Sequence, residues 1–137
     1  MQTTGSCLCG AVAYQAEVDE RRIVICHCRD CQVLGGSAFR VIAVVAPGSF
    51  ELTKGRPRTF RKTAESGGVR HLLFCAECGG HVAAMPPDPD EAGAFISLRI
   101  ATSKDFSRLK PVAEIWCRSK VAWMPELPGT VTLDRQP

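Results

Sequence analysis

The chain has 137 residues, 17 Lys and Arg against 14 Asp and Glu for a formal net charge of +3, and eight cysteines. That length suits one domain with a real core and is too short for two. The near-balance of charge gives no basic footprint for nucleic acid, and the longest apolar stretches, Val41 to Pro47 and His81 to Pro87, fall far short of a membrane span.

Met1 to Gly5 is polar, with no secretory-type apolar stretch behind it, which predicts a reducing, cytoplasmic setting. The apolar period is then mostly two. Val12, Tyr14, Ala16 and Val18 alternate with Ala13, Gln15 and Glu17, the pattern of a half-buried strand. Ile23 to Ile25 predicts a short strand, Arg29 to Leu34 a helical turn, and Phe39 to Val45 a strand buried on both faces and stopped by Pro47-Gly48. Phe50 to Leu52 and Thr59 to Arg61 predict strands around the turn at Lys54 to Pro57. Val69 to Phe74 leads into Cys75, and Gly79-Gly80 closes a knuckle before a strand over His81 to Met85. Pro86 to Asp90 is a loop, Phe95 to Ile100 and Glu114 to Cys117 are further strands, and Ser103 to Leu109 is a second helical turn. Short strands punctuated by Gly and Pro, with no long helix, predict a mainly β fold, a folded sheet or open barrel of short antiparallel strands.

The cysteines fall in tight clusters: Cys7 with Cys9, then Cys26, Cys28 and Cys31, then Cys75 with Cys78. Disulfides between such near neighbours would close tiny rings of little entropic value, whereas neighbouring thiolates converge readily on one tetrahedral zinc. The two pairs sum to four ligands and close a structural site. The central cluster supplies three and leaves a position open, which a catalytic zinc requires. The other partition, the central cluster with Cys75 and Cys78, over-fills one site and strands Cys7 and Cys9. Two zinc ions and seven thiolates together carry three negative charges, which cancels the formal +3. Three thiolates damp Lewis acidity and suit a soft substrate thiolate in the open position, so the residues predict thiol chemistry.

Other residues carry weaker signals. Cys117, behind Trp116 in an apolar stretch, reads as core packing. His27 lies between two ligands, its side chain turned away from the metal, either supporting the site or facing solvent. His71 and His81 read as ordinary strand residues, and Phe39 and Trp123 as core. Asp30 either orients His27 or starts a helix. Arg29 and the stretch Lys54, Arg56, Arg58, Arg61 and Lys62 either recognise a substrate carboxylate or solvate a sheet edge.

Gly5-Ser6-Cys7-Leu8-Cys9-Gly10, Cys26-His27-Cys28-Arg29-Asp30-Cys31 and Phe74-Cys75-Ala76-Glu77-Cys78-Gly79, in that order, resemble the glutathione-dependent formaldehyde-activating enzyme family, also called the centromere protein V/Gfa domain. The tail Ile115 to Trp123 looks like that family's closing strand. The resemblance covers roughly residues 3–124 and implies one domain over 1–137 with a C-terminal tail at 125–137. It implies a β fold like that of the small zinc-containing nucleotide-exchange chaperones. It also implies a structural zinc on Cys7, Cys9, Cys75 and Cys78 and a second zinc on Cys26, Cys28 and Cys31. The implied reaction is that of a carbon–sulfur lyase, joining glutathione and formaldehyde as S-hydroxymethylglutathione. Two positions depart from the family pattern: Glu114 stands where a histidine is usual, and a Gly-x-Leu-Asp segment reads Ser97-Leu98-Arg99-Ile100. Two competing readings remain at this level. One is a zinc-stabilised module that binds protein or nucleic acid without catalysis. The other is a methionine sulfoxide reductase-like enzyme, which needs an exposed, activated cysteine outside the metal sites.

Overall fold

The computed structural model describes residues 1–136; Pro137, the end of the expected tail, lies outside them. In chain order the first strands are β1 (Gln2–Ser6), β2 (Ala13–Glu17), β3 (Ile23–Cys26), β4 (Arg40–Val45) and β5 (Phe50–Lys54). They are followed by β6 (Arg58–Thr63), β7 (Val69–Phe74), β8 (His81–Met85), β9 (Ile96–Leu98), β10 (Ala113–Ile115) and β11 (Val131–Thr132). Among the described residues the single α-helix, α1, spans Arg29–Gly35, and short 3-10 turns sit at the connections, including Ile100–Thr102, Phe106–Arg108 and Cys117–Ser119.

The strands form two open sheets and no closed barrel. One has three strands in the order β1-β2-β5, the other eight in the order β11-β10-β3-β4-β9-β8-β7-β6. β4 and β5 follow one another in sequence but lie in different sheets, so the chain turns from one layer into the other at Ala46 to Ser49. The alternation read in β2 holds: Val12, Tyr14, Ala16 and Val18 are all buried, while Gln15 and Glu17 are exposed. This inward row packs with Ile23, Ala43, Val45, Ala83, Ile96 and Leu98 of the larger sheet in one apolar cluster.

Three expectations need correction. The sheet is not purely antiparallel, because β10 lies parallel to both β3 and β11. The strand expected over Glu114 to Cys117 is Ala113–Ile115, and Cys117 opens a 3-10 turn instead. Trp123, expected in the core, is 73% exposed. The segment Gln2–Ser6, too polar to read as a strand, pairs along its whole length with β2. Its Thr3 is buried through hydrogen bonds rather than apolar contact, at 2.7 Å to Ser103 and 2.6 Å to Asp105.

The turn after β5 shows how closely that strand's end lies against the segment leading into β2. Gly55 has φ +80°, and a Cβ there would collide with the Ala11 carbonyl. Gly55→Ala therefore combines left-handed strain with a backbone clash and is expected to cost at least about 2 kcal/mol in urea denaturation. Gly48→Ala, with nothing within 4 Å, is expected to stay within about 0.5 kcal/mol of the parent.

Candidate metal centres

Two loops bring the first cluster together. After β1 the chain folds back through Cys7 N–H to Val12 O at 2.9 Å and Gly10 N–H to Cys7 O at 3.1 Å, with Gly10 left-handed at φ 79°. After β7 a similar knuckle forms through Gly79 N–H to Cys75 O and Cys75 N–H to Gly80 O, both 2.9 Å, with Gly79 at φ 73°. The knuckles touch at Gly80, where a Cβ would stand 3.3 Å from Cys78 Sγ and 3.5 Å from Cys7 Cβ.

The four sulfurs of Cys7, Cys9, Cys75 and Cys78 all lie within 4.8 Å of one another. Cys7 Sγ to Cys9 Sγ and Cys9 Sγ to Cys75 Sγ are both 3.7 Å. A tetrahedron with Zn–S arms of about 2.3 Å has edges of about 3.8 Å, so the thiols stand at zinc spacing. Backbone amides are aimed at the sulfurs as well: Val12 N–H at Cys7 (3.3 Å), Glu77 N–H at Cys75 (3.4 Å) and Gly80 N–H at Cys78 (3.4 Å). Such donors favour thiolate over thiol. Amides at Cys9 and Gly80 lower the Cys78 thiol to about 6.

The second cluster is built on β3, α1 and β10. Cys26 ends β3, and Cys28 is the N-cap of α1, its Sγ accepting the Cys31 N–H at 3.2 Å. One thiol of the group thus also caps the helix that carries the next. The three sulfurs again lie within 4.8 Å of one another, and among the described residues no fourth Cys, His, Asp or Glu joins them. Hydrogen bonds from the Cys26 and Cys31 thiols hold Cys28 far below the ordinary thiol range, with Lys62 adding to the effect. The thiols of Cys26 and Cys31 are raised in turn, and three sulfur donors at this spacing fit a soft divalent metal.

The parallel pairing of β10 with β3 sets Ile115 opposite Cys26 and brings Trp116 onto the trio. Trp116 is 8% exposed and packs with Cys26 and Cys31. Among the described residues it is the sole non-glycine with positive φ, at 56°, a strained conformation of the kind that concentrates at functional sites. Trp116 also lines a cleft of about 210 Å³ with Glu65, Ser66, Arg135 and Gln136.

The weaker signals now separate. His27 is fully buried and turned away from the trio, with Nε2 at 2.9 Å from Glu114 Oε1. Glu114 also accepts from Lys120 at 2.9 Å and Thr130 at 3.2 Å. This four-residue polar core holds β10 against β3. Asp30 does not reach His27; it pairs with Lys62 at 2.8 Å. Lys62 is the member of the basic stretch brought to the trio, while Lys54, Arg56, Arg58 and Arg61 are exposed along β5 and β6. Arg29 donates to Gln32 at 2.8 Å. His81 is half-buried and stacks on Phe74, His71 is likewise a half-buried strand residue, and Phe39 is half-buried against the edge of His27. Cys117 is half-buried, its thiol raised by burial, the reverse of what an activated redox cysteine needs. Sequence reasoning missed Arg40 and Arg99. Arg40 stands directly opposite Cys26 in the β3–β4 pairing, and Arg99 is 7% exposed just beyond β9.

The model of the glutathione-dependent formaldehyde-activating enzyme family matches residues 2–119. The chain belongs to that family. No curated protein matches the sequence. Among solved structures, a protein of Rhodobacter sphaeroides matches at TM-score 0.57 and 16% identity, over 95% of this chain and 98% of that one. This likeness shows a shared fold. The family match extends over all seven clustered cysteines, which the structure gathers into two groups, each able to hold a metal ion. Among the described residues no helix is long and apolar enough to cross a membrane.

The Glu114 cluster generates a pH test. Burial alone would raise this carboxyl, but hydrogen bonds from Lys120 and His27 outweigh it and hold it below the usual carboxylate value. A depressed carboxylate lends stability above its unfolded value, and that stability is lost as pH falls through the folded value. Glu114→Gln is expected to be about 2–3 kcal/mol less stable than the parent at neutral pH. The gap should narrow as pH falls below about 5, measured by urea denaturation across a pH series.

Proposed function

We propose that this chain is a zinc-dependent carbon–sulfur lyase acting on a small thiol adduct, such as S-hydroxymethylglutathione formed from glutathione and formaldehyde. In this reading Cys7, Cys9, Cys75 and Cys78 hold a structural zinc. Cys26, Cys28 and Cys31 hold a second zinc at the reacting centre. The observation that carries the proposal is the unequal ligand count: four thiols close one group, while three stand in the other with no fourth protein ligand among the described residues.

When bound at the trio, zinc supplies a soft acceptor position that stabilises a substrate thiolate. The chain's own residues do the rest. The cap hydrogen bond from Cys31 N–H fixes the Cys28 sulfur. Trp116 covers one side of the trio and limits access of water. Lys62, held at 2.8 Å by Asp30, places a cation beside Cys28, where it offsets the excess thiolate charge. In the forward direction a bond forms between the thiol sulfur and the carbonyl carbon, and the thiol proton ends on the carbonyl oxygen. In reverse that carbon–sulfur bond breaks and the proton returns to sulfur. Burial and a raised thiol leave Cys117 outside this chemistry.

Metal analysis with a thiol titration tests the proposal. The parent protein is expected to hold two zinc ions per chain. Mild chelation should remove one while the fold persists, and removal of the other should unfold the chain. Cys28→Ser should keep one zinc and lose glutathione binding, followed by calorimetry. A parent that binds no thiol, or a variant that binds it equally well, would overturn the reading.

A further inference from the structure

Most buried charges in a fold are paired. Arg40 and Arg99 are not. Arg99 is 7% exposed and Arg40 half-buried, yet no carboxylate meets either guanidinium among the described residues. Arg99 Nε and Arg40 Nη1 are buried with no hydrogen-bond partner, and so is Nδ1 of His81. Arg70, the third arginine on this part of the sheet, is satisfied: it donates to the Ala84 carbonyl at 2.7 Å and the Phe95 carbonyl at 2.8 Å, and stacks on Phe95. The contrast separates a structural arginine from two with unused donors.

The register places the two beside the trio. Cys26 and Arg40 are directly opposed across β3 and β4, and opposed antiparallel residues have Cβ atoms about 5 Å apart on one face. Along β4 and β9, Ser97 opposes Val44, so alternation carries Arg99 to the face that bears Arg40 and Cys26. Gly35, at the end of α1, leaves room for Arg40; a Cβ there would stand 3.3 Å from its Nε. Burial, then the neighbouring Arg40, lower the Arg99 guanidinium to about 10, which still leaves it charged at neutral pH. The same two arginines, after burial, lower His81.

A bound carboxylate would satisfy the orphaned donors through charge-assisted hydrogen bonds.

We propose that Arg40 and Arg99 form an anion subsite for a carboxylate carried close to the sulfur of the thiol bound at Cys26, Cys28 and Cys31. The proposal rests on the thiol-binding reading and narrows it. Because Arg40 opposes Cys26 directly, the carboxylate must sit only a few bonds from the sulfur. Compact mercapto-carboxylic acids, or their aldehyde adducts, therefore fit better than a thiol whose carboxylates lie far along a peptide.

Calorimetric titration of the zinc-loaded protein with mercaptopropionate, mercaptoethanol and propionate tests this. The parent should bind mercaptopropionate at least about tenfold more tightly than mercaptoethanol, the scale of a charge-assisted hydrogen-bond pair. Arg99→Met and, independently, Arg40→Met should bring the two thiols within about twofold of each other. Equal binding of both thiols by the parent would overturn the subsite while leaving thiol binding intact. An unchanged preference in both variants would do the same. If neither thiol binds, the thiol-binding reading itself fails, and propionate binding lost in Arg99→Met would show the anion site standing without it. If Arg99→Met does not fold, the parent comparison and Arg40→Met decide the question.

Discussion

The setting of the small sheet against the large one depends on the convergence of Cys7 and Cys9 with Cys75 and Cys78. The first pair closes the turn between β1 and β2 in the small sheet, and the second closes the turn between β7 and β8 in the large one. Four sulfurs at tetrahedral spacing, each pair set in a knuckle of backbone amides, form a link between layers that apolar packing alone would not place so exactly in register. The link fixes where β8 begins, and β8 pairs with β9, behind which Arg99 lies.

The second cluster owes its position to other forces. β3 delivers Cys26, a helix cap delivers Cys28 and Cys31, and the parallel strand β10 lays Trp116 over them. The His27–Glu114–Lys120–Thr130 core explains why β10 stays against β3 although the two are far apart in sequence. A buried glutamate at position 114 is compatible with this packing because three donors converge on its carboxylate. The same residue that closes the polar core is therefore kept charged without a metal of its own.

The two cysteine groups were legible in the sequence because their spacing is local. Pairs and triplets of cysteines a few residues apart have few ways to point, and counting them sufficed to propose four and three. The strand alternation of Val12 to Val18 was legible for the same reason, since period two is a local signal. What escaped notice is non-local or polar. β1 is a polar segment made a strand by pairing with β2 and by the hydrogen bonds of Thr3. β10 was visible as a strand, but its parallel partners were not, because nothing in Ala113–Ile115 specifies direction. Trp123 looked like core by residue type and lies exposed, whereas Trp116 was the aromatic that covers the trio. Arg40 and Arg99 carried no signal of their own until cross-strand register set Arg40 opposite Cys26 and Arg99 on the same face. The departure at Ser97 to Ile100 was noticed as a loss of pattern, and its physical content is a buried cation.

The central claim is that the two groups of cysteines are unequal, one a closed site and one with a position for a substrate sulfur. X-ray absorption at the zinc edge reads this directly as the mean number of sulfur neighbours per metal. Seven cysteine sulfurs shared by two zinc ions average about three and a half per zinc, with a light-atom neighbour completing the shell. Addition of a thiol substrate should raise that average to about four and remove the light-atom contribution. Four sulfurs per zinc before any thiol is added, or an average that does not change on adding it, would contradict the account.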